Sequence, residues 1–253
     1  MRRLALVVAF ALAIPVFAHA ASNPVLAAVK RTATAKSSTF TMSMTTSVAG
    51  QRMVMSGSGA QSGSSARLSM RTSGLGGAIR VDAVLVKEHG AYVMYLRSPA
   101  FSSQLPRGKS WLRIDLSKQL SKLGLNFSAL LSASQTFKPL EKGLVSTTRL
   151  GREVVAGQAA TRYRAVLDVK RAARALPGYR QQIAAVERAT GIKFRLLRYD
   201  LWVAGDGRIH RLRYSMPIAA SGVRGRSVQT MTFLSFDKPV TITAPPRSQV
   251  FSP

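Results

Sequence analysis

Cysteine is absent from the 253 residues, histidine occurs three times, and Asp and Glu together ten times. The missing cysteine excludes disulfides, thiolate zinc sites, thiol nucleophiles and a lipid-modified N-terminal cysteine. The scarcity of histidine and acid leaves little material for hydrolytic or metal-assisted chemistry. No Gly-x-Ser-x-Gly elbow, Ser-x-x-Lys motif or His-Glu-x-x-His helix is present. The acids are scattered from Asp82 to Asp237 with no spacing that suggests a metal loop. His89 lies beside Gly90 in a turn, His210 stands among Arg208 and Arg211, and Asp206 between two glycines reads as a hairpin turn. Asp115 and Asp200 are expected to pair with nearby arginines, and Trp111 and Trp202 to pack in the core. The chain therefore reads as a non-enzyme with no cofactor and no metal.

Long hydrophobic runs are also missing, with one exception. Residues 4–17 are apolar, follow Arg2 and Arg3, and precede Ala18-His19-Ala20, the small-x-small pattern of an export signal. The run is short of the ~20 residues that a membrane span needs. Cleavage after Ala20 yields an exported, soluble, extracytoplasmic chain, and losing the two arginines lowers the formal charge from +27 to +25.

What the sequence has in abundance is positive charge and alternation. Lys and Arg number 37, the sequence pI is about 11.7, and apolar residues make up 46%, too many for a disordered basic tail. Phe40, Met42 and Met44 alternate with threonine and serine, and Met53 and Met55 repeat the pattern. A flexible Gly/Ser stretch, 56–65, leads to Leu68 and Met70, and Tyr92 and Met94 follow His89-Gly90. Period two marks half-buried strands. Helices are expected at 116–123, at 132–144 around Pro139, and at 179–190 closed by Gly191. Gly205-Asp206-Gly207 joins two strands as a hairpin, a third covers 228–236, and Pro245-Pro246 ends the ordered part. About ten strands and two or three helices without βαβ alternation predict an α+β fold, a large antiparallel sheet with helices on one face. The organisation is a signal at 1–20, a basic segment or first helix at 21–37, a single domain at 38–246 and a tail at 247–253.

The segment Tyr92-Val93-Met94-Tyr95-Leu96-Arg97-Ser98-Pro99, then Gly108-Lys109-Ser110-Trp111-Leu112-Arg113-Ile114-Asp115-Leu116, is the most characteristic. With Gly151 to Gly157, Thr161-Arg162-Tyr163-Arg164, and Asp200-Leu201-Trp202-Val203 entering the hairpin, it resembles the LolA-like lipoprotein-carrier superfamily. Within it, the nearest likeness is to the actinobacterial lipoproteins grouped as LppX/LprAFG. The resemblance implies a sheet curled into a half-barrel, helices on its concave face, and an apolar cavity that carries lipid or lipidated cargo across the cell envelope. Two departures accompany it. Ala18-His19-Ala20-Ala21 stands where those lipoproteins have a lipobox cysteine, which excludes a lipid anchor, and Pro139 falls where the family tends to have an unbroken helix.

The alternating sets Phe40/Met42/Met44, Met53/Met55, Leu68/Met70, Tyr92/Met94 and Met231/Phe233 can each share one sheet face, and they hold seven of the nine methionines. Methionine adapts to irregular partners, so these residues are candidates to line a lipid cavity; methionine also plugs gaps in a filled core, and periodicity does not separate the two. The densest basic clusters are Arg171, Arg174 and Arg180, and Arg208, Arg211 and Arg213. They are candidates for anionic headgroups or a membrane surface, against the alternative of a generally basic exterior. Export and the lack of any nucleic-acid motif argue against a nucleic-acid partner. Three function classes remain: a non-enzymatic carrier of lipid or acylated cargo, an envelope sensor or interaction module with a protein partner, and an enzyme of unrecognised chemistry. Nothing in the pattern fixes an oligomeric state.

Overall fold

A computed structural model describes residues 23–73, 78–116, 133–220 and 223–253. The expected signal at 1–20 and most of the expected helix at 116–123 lie outside these residues. Among the described residues, twelve strands form one curled, unclosed sheet in the order β12-β6-β5-β4-β3-β2-β1-β11-β10-β9-β8-β7. They are β1 (Ser37–Val48), β2 (Gln51–Ser62), β3 (Ser65–Ser73), β4 (Ile79–Glu88), β5 (Ala91–Arg97), β6 (Trp111–Asp115), β7 (Leu144–Val155), β8 (Gln158–Asp168), β9 (Leu196–Ala204), β10 (Ile209–Ala220), β11 (Val223–Phe236) and β12 (Val250–Phe251). Every pairing is antiparallel except β12 on β6. The α+β class thus holds, with twelve strands where about ten were expected.

Among the described residues there are five α-helices: α1 (Pro24–Ala33), α2 (Pro99–Ser102), α3 (Ala133–Gly143), α4 (Val169–Ala175) and α5 (Pro177–Thr190). The basic segment at 21–37 thus contains a helix, α1, and enters the first strand. Asn23 caps α1 by accepting from the backbone of Val25 and Leu26, and Pro24 occupies the first turn, where its missing N–H costs nothing. The helix buries Val25, Ala28, Val29 and Thr32. The Thr32 hydroxyl donates to Ala28 and accepts from the Ile209 N–H at 2.9 Å, which ties the helix to β10. Phe137 and Leu140 of α3 join the same core with Leu167, Leu201, Leu212 and Phe233. The long helices all lie over the β7–β11 half of the sheet.

Two expectations are corrected. The Gly/Ser stretch at 56–65 is strand and hairpin rather than a flexible piece: Gly57 and Gly59 lie inside β2. A Cβ at Gly59 would stand 2.5 Å from the Phe40 ring and 2.9 Å from the Arg67 carbonyl, so the glycine makes room for an aromatic ring laid across the strand. The chain also stays in the fold beyond Pro246. A 3₁₀ turn leads into β12, which pairs with Trp111 and Leu112, and Ile242 and Val250 pack on Val86, Val93, Tyr95 and Trp111. Pro245 and Pro246 set the direction of this return rather than ending the structure.

Gly59→Val is expected to destabilise the protein by about 2 kcal/mol through overpacking. Ser58→Val, on the other face of the same strand, should stay within about 0.5 kcal/mol of the wild type. Urea denaturation midpoints of the two variants check this.

Candidate functional site: an apolar sheet face and the cavity beneath helix α5

Residues paired across an antiparallel ladder share a face, so the registers can be followed from strand to strand. Phe40 opposes Phe233 and Gly59; Met42 opposes Met231 and Gly57; Met44 opposes Gln229 and Met55. Gly59 leads to Leu68, Gly57 to Met70, and Met94 stands opposite Leu85. Met53 opposes Thr46, and Tyr92 opposes Lys87. The eleven residues singled out by alternation therefore share one face. Their surroundings differ. Phe233 is only 3% exposed and packs edge-on to Phe40 at 6.3 Å and against Phe137 at 6.2 Å, as filled core. Tyr92 and Met94 pack on Ala66, Leu85 and Leu116. The six methionines of β1, β2, β3 and β5 are half-buried.

A cavity of about 460 Å³ opens on this face beneath α5. The helix starts at Pro177 and ends at Gly191, whose left-handed φ of 67° lets its N–H reach the Glu187 carbonyl at 2.8 Å. Glu187 also accepts from the Phe194 N–H at 2.9 Å, so the helix end is fastened to the strand that follows. Tyr179, Gln182 and Ile183, spaced three and four apart, face the cavity. Its floor has two ladder rows, Tyr199–Tyr214–Gln229 and Leu201–Leu212–Met231, of which Leu201 alone is sealed from the cavity. Lys138, Pro139 and Leu140 of α3 complete one side. Of the residues read from sequence, Met231 alone lines this cavity. The floor rows run on into Met42 and Met44 of β1.

The three tyrosines are what sequence reading missed. The Tyr199 and Tyr214 rings lie 5.3 Å apart, and the Tyr214 hydroxyl donates to Gln229 Oε1. The Tyr179 hydroxyl is buried with no hydrogen-bond partner among the described residues. Burial pushes the Tyr179 phenol up to about 12, and raises Tyr199 and Tyr214 as well. All three therefore remain protonated donors throughout the physiological range. The available signal was the position of Tyr199 and Tyr214 on either side of the Gly205–Gly207 hairpin.

The opposite face is polar and arginine-rich. Serines and threonines of β1, β2 and β11 floor an open groove of about 750 Å³, edged by Arg71 and Arg80. A second, of about 540 Å³, includes Leu68, Arg67, Arg97 and Trp111. The Arg97 guanidinium lies 4.6 Å from the Trp111 ring centre, and Trp202 has Arg162 and Arg211 at 5.0 and 5.5 Å. Trp202 Nε1 donates to Glu153 at 2.8 Å. Asp200 pairs with Arg162 and Arg164, and Asp82 with Arg80 and Arg97. Burial works to raise both aspartates, and the hydrogen bonds from arginine, with Ser69 on Asp82, outweigh it and hold them below the usual carboxylate range.

The two basic clusters are not brought together. Arg171, Arg174 and Arg180 are exposed on α4 and α5, over the apolar face. Arg213 is exposed on the polar face, and Arg211 there donates to Thr232. Arg208 is engaged with Asp237 and lies over Phe236. His89 is a left-handed turn residue at φ 47°, and His210 sits 3.1 Å from Asp206 in the β9–β10 hairpin. No group of three or more His, Asp or Glu able to hold a metal occurs among the described residues. Among them, no helix is long and apolar enough to cross a membrane.

No protein-family model matches the chain, and no curated protein does. Solved structures give distant similarities. LprF from Mycobacterium bovis is 12% identical, with 88% of this chain and 96% of that one covered at a TM-score of 0.45. The lipoprotein LppX of Mycobacterium tuberculosis is 15% identical, with 88% and 100% covered at a TM-score of 0.40. The MucA/MucB complex of Pseudomonas aeruginosa gives 14% identity over 89% of this chain and 58% of that one, at a TM-score of 0.31. Similarity at this distance assigns neither ligand nor partner. What the chain's own coordinates define is an open α+β half-barrel with one apolar face, half roofed by helices, and a cavity under the roof.

Because Asp82 and Asp200 have folded pKa values below those of the unfolded chain, their stabilisation is complete above the unfolded value of ~3.9 and is lost as pH falls through the folded values. Stability by urea unfolding should be flat from pH 7 to about 5 and fall steeply below about 4. Asp82→Asn should start lower at pH 7 and show a shallower acid slope.

Proposed function

We propose that this protein is an exported, non-enzymatic carrier that holds the acyl chains of a lipid or lipidated molecule on the apolar face of its half-barrel, entering by the cavity beneath α5. The observation that carries this reading is the apolar ladder row that runs from the cavity floor through Leu212 and Met231 to Met42. A volume of about 460 Å³ falls within the range of small-molecule sites, and its walls combine aliphatic and aromatic side chains with a few polar groups. Each methylene transferred from water to such walls contributes about 0.8 kcal/mol, so a few carbons suffice to hold a chain. Methionines along the continuing face adapt to chains of different length. Export follows from the signal read at 1–20.

A second reading, an envelope interaction module, draws on one feature. The edge strand β7 is twelve residues long and carries exposed Val145, Leu150 and Val154, with Val154 72% exposed. Such an edge offers free main-chain groups to a partner strand. Two bulges, at Leu144/Ser146 and Arg149/Gly151, interrupt it and weaken this reading.

Native mass spectrometry of the protein purified from its own host should reveal co-purifying acyl lipid. Met231→Arg should reduce that load at least tenfold while circular dichroism stays unchanged; a folded variant with full loading would overturn the assignment of this face. The surplus of basic residues generates a separate expectation. Association with anionic vesicles should fall steeply between 10 and 150 mM salt, as the screening length shrinks from ~30 to ~8 Å, and zwitterionic vesicles should bind poorly at every salt concentration.

A further inference from the structure

The tyrosine cluster under α5 does something a purely hydrocarbon-binding cavity does not need. Tyr179 projects from the roofing helix, and Tyr199 and Tyr214 pair across β9 and β10 on the floor. A buried hydroxyl without a partner costs ~1–3 kcal/mol, so apolar pockets ordinarily exclude it or satisfy it internally. Among the described residues, the Tyr214 hydroxyl is satisfied by Gln229, the Tyr179 hydroxyl is buried without a partner, and Tyr199 makes no hydrogen bond. Phenylalanine would fill the same space with no such cost.

The polarity of the cavity is one-sided. Tyr179 and Tyr199 offer O–H donors, and the Gln229 amide, having accepted from Tyr214, offers its NH₂. Lys138 adds a cation at the rim, and among the described residues no carboxylate lines the space. A bare alkyl chain leaves these donors unsatisfied, whereas a ligand whose own groups are donors, such as an amine, finds few acceptors. An acyl chain in ester linkage brings a strong, uncharged acceptor, its carbonyl oxygen, attached to the hydrocarbon that the remaining walls accommodate. Tyr199 on the floor and Tyr179 on the roofing helix both line the space that such a group would enter.

We infer that the cavity is an acyl-ester subsite, in which the hydroxyls of Tyr199 and Tyr179 donate to the ester carbonyl and so select ester-linked chains over ether-linked ones. The inference rests on the carrier reading above and adds the residues that read the linkage.

The test uses the delipidated full-length exported protein and two probes of equal chain length, dioleoylglycerol and its dioleyl ether analogue, titrated by displacement of a fluorescent fatty-acyl reporter. Wild type should bind the ester about fivefold more tightly than the ether, the range expected of one to two neutral hydrogen bonds. The Tyr179→Phe/Tyr199→Phe double variant should bind the two equally and melt no lower than wild type. Equal binding of both probes by wild type would overturn the ester subsite and leave the carrier standing. Failure of wild type to bind either probe, with no lipid carried from the host, would overturn the carrier and the subsite with it. A double variant that keeps the ester preference would show that other groups read the linkage. If the double variant fails to fold, Tyr199→Phe alone is read by the same ratio, and an undiminished preference counts against the inference.

Discussion

A slip of one residue in the pairing of β1 would send Phe40, Met42 and Met44 to the solvent side and bring Thr39, Thr41, Ser43 and Thr45 to the helices. The architecture depends on that register. With it in place, apolar side chains from strand after strand are collected on one face and short hydroxyls and arginines on the other. α1, α3, α4 and α5 then have a surface to bury against, and their apolar residues go to the β7–β11 half. The Phe40–Gly59 contact helps hold the register, because sliding β2 by one residue would replace a hydrogen with a side chain under the ring.

Charge is arranged by the same alternation. Nine of the acids occupy structural positions: Asp82, Glu88, Glu141, Glu153, Glu187, Asp200 and Asp237 in ion pairs, Asp168 as the cap of α4, and Asp206 in the β9–β10 turn. Most pairs are at least partly exposed and contribute little individually. Their collective effect is to tether particular arginines, such as Arg162 between Glu153 and Asp200 and Arg97 beside Asp82, while the remaining basic residues supply a surplus positive field. The acids that alternation places on the polar face, Asp82, Glu153 and Asp200 among them, are drawn into arginine networks there.

The period of two made the apolar ladder legible before any coordinates, because Met42, Met44, Met55, Met70 and Met94 stand at every second position of strands that the turn residues delimit. Two things were not legible, for physical reasons. Gly57 and Gly59 have the local composition of a linker, and only the ring of Phe40 and the backbone of β3, brought in from other strands, explain them as strand residues. The two basic clusters were both candidates for an anionic surface, yet which side of a sheet receives the helices is a tertiary outcome, and it separates Arg171, Arg174 and Arg180 from Arg213. Tyr199 and Tyr214 meet across a hairpin whose register shifts between Ile209 and Arg211, so counting outward from Gly205-Asp206-Gly207 does not pair them unless that shift is known.

Why a cavity persists under α5, when Phe137, Phe233 and Phe40 fill the neighbouring space, follows from the polar groups that line it. Collapse of α5 onto the floor would press Tyr179 against Tyr199 and Tyr214 and seal several phenols in a space where Gln229 already accepts from Tyr214. Pro139, inside α3 and at the cavity wall, lacks an N–H and interrupts the regular hydrogen bonding of that helix beside the gap. Apolar closure is therefore opposed by unsatisfied hydroxyls, while a guest that brings both hydrocarbon and an acceptor relieves the opposition on both counts. The walls beneath α5 are incomplete as a filled core, and that incompleteness is what the proposed carrier role would use.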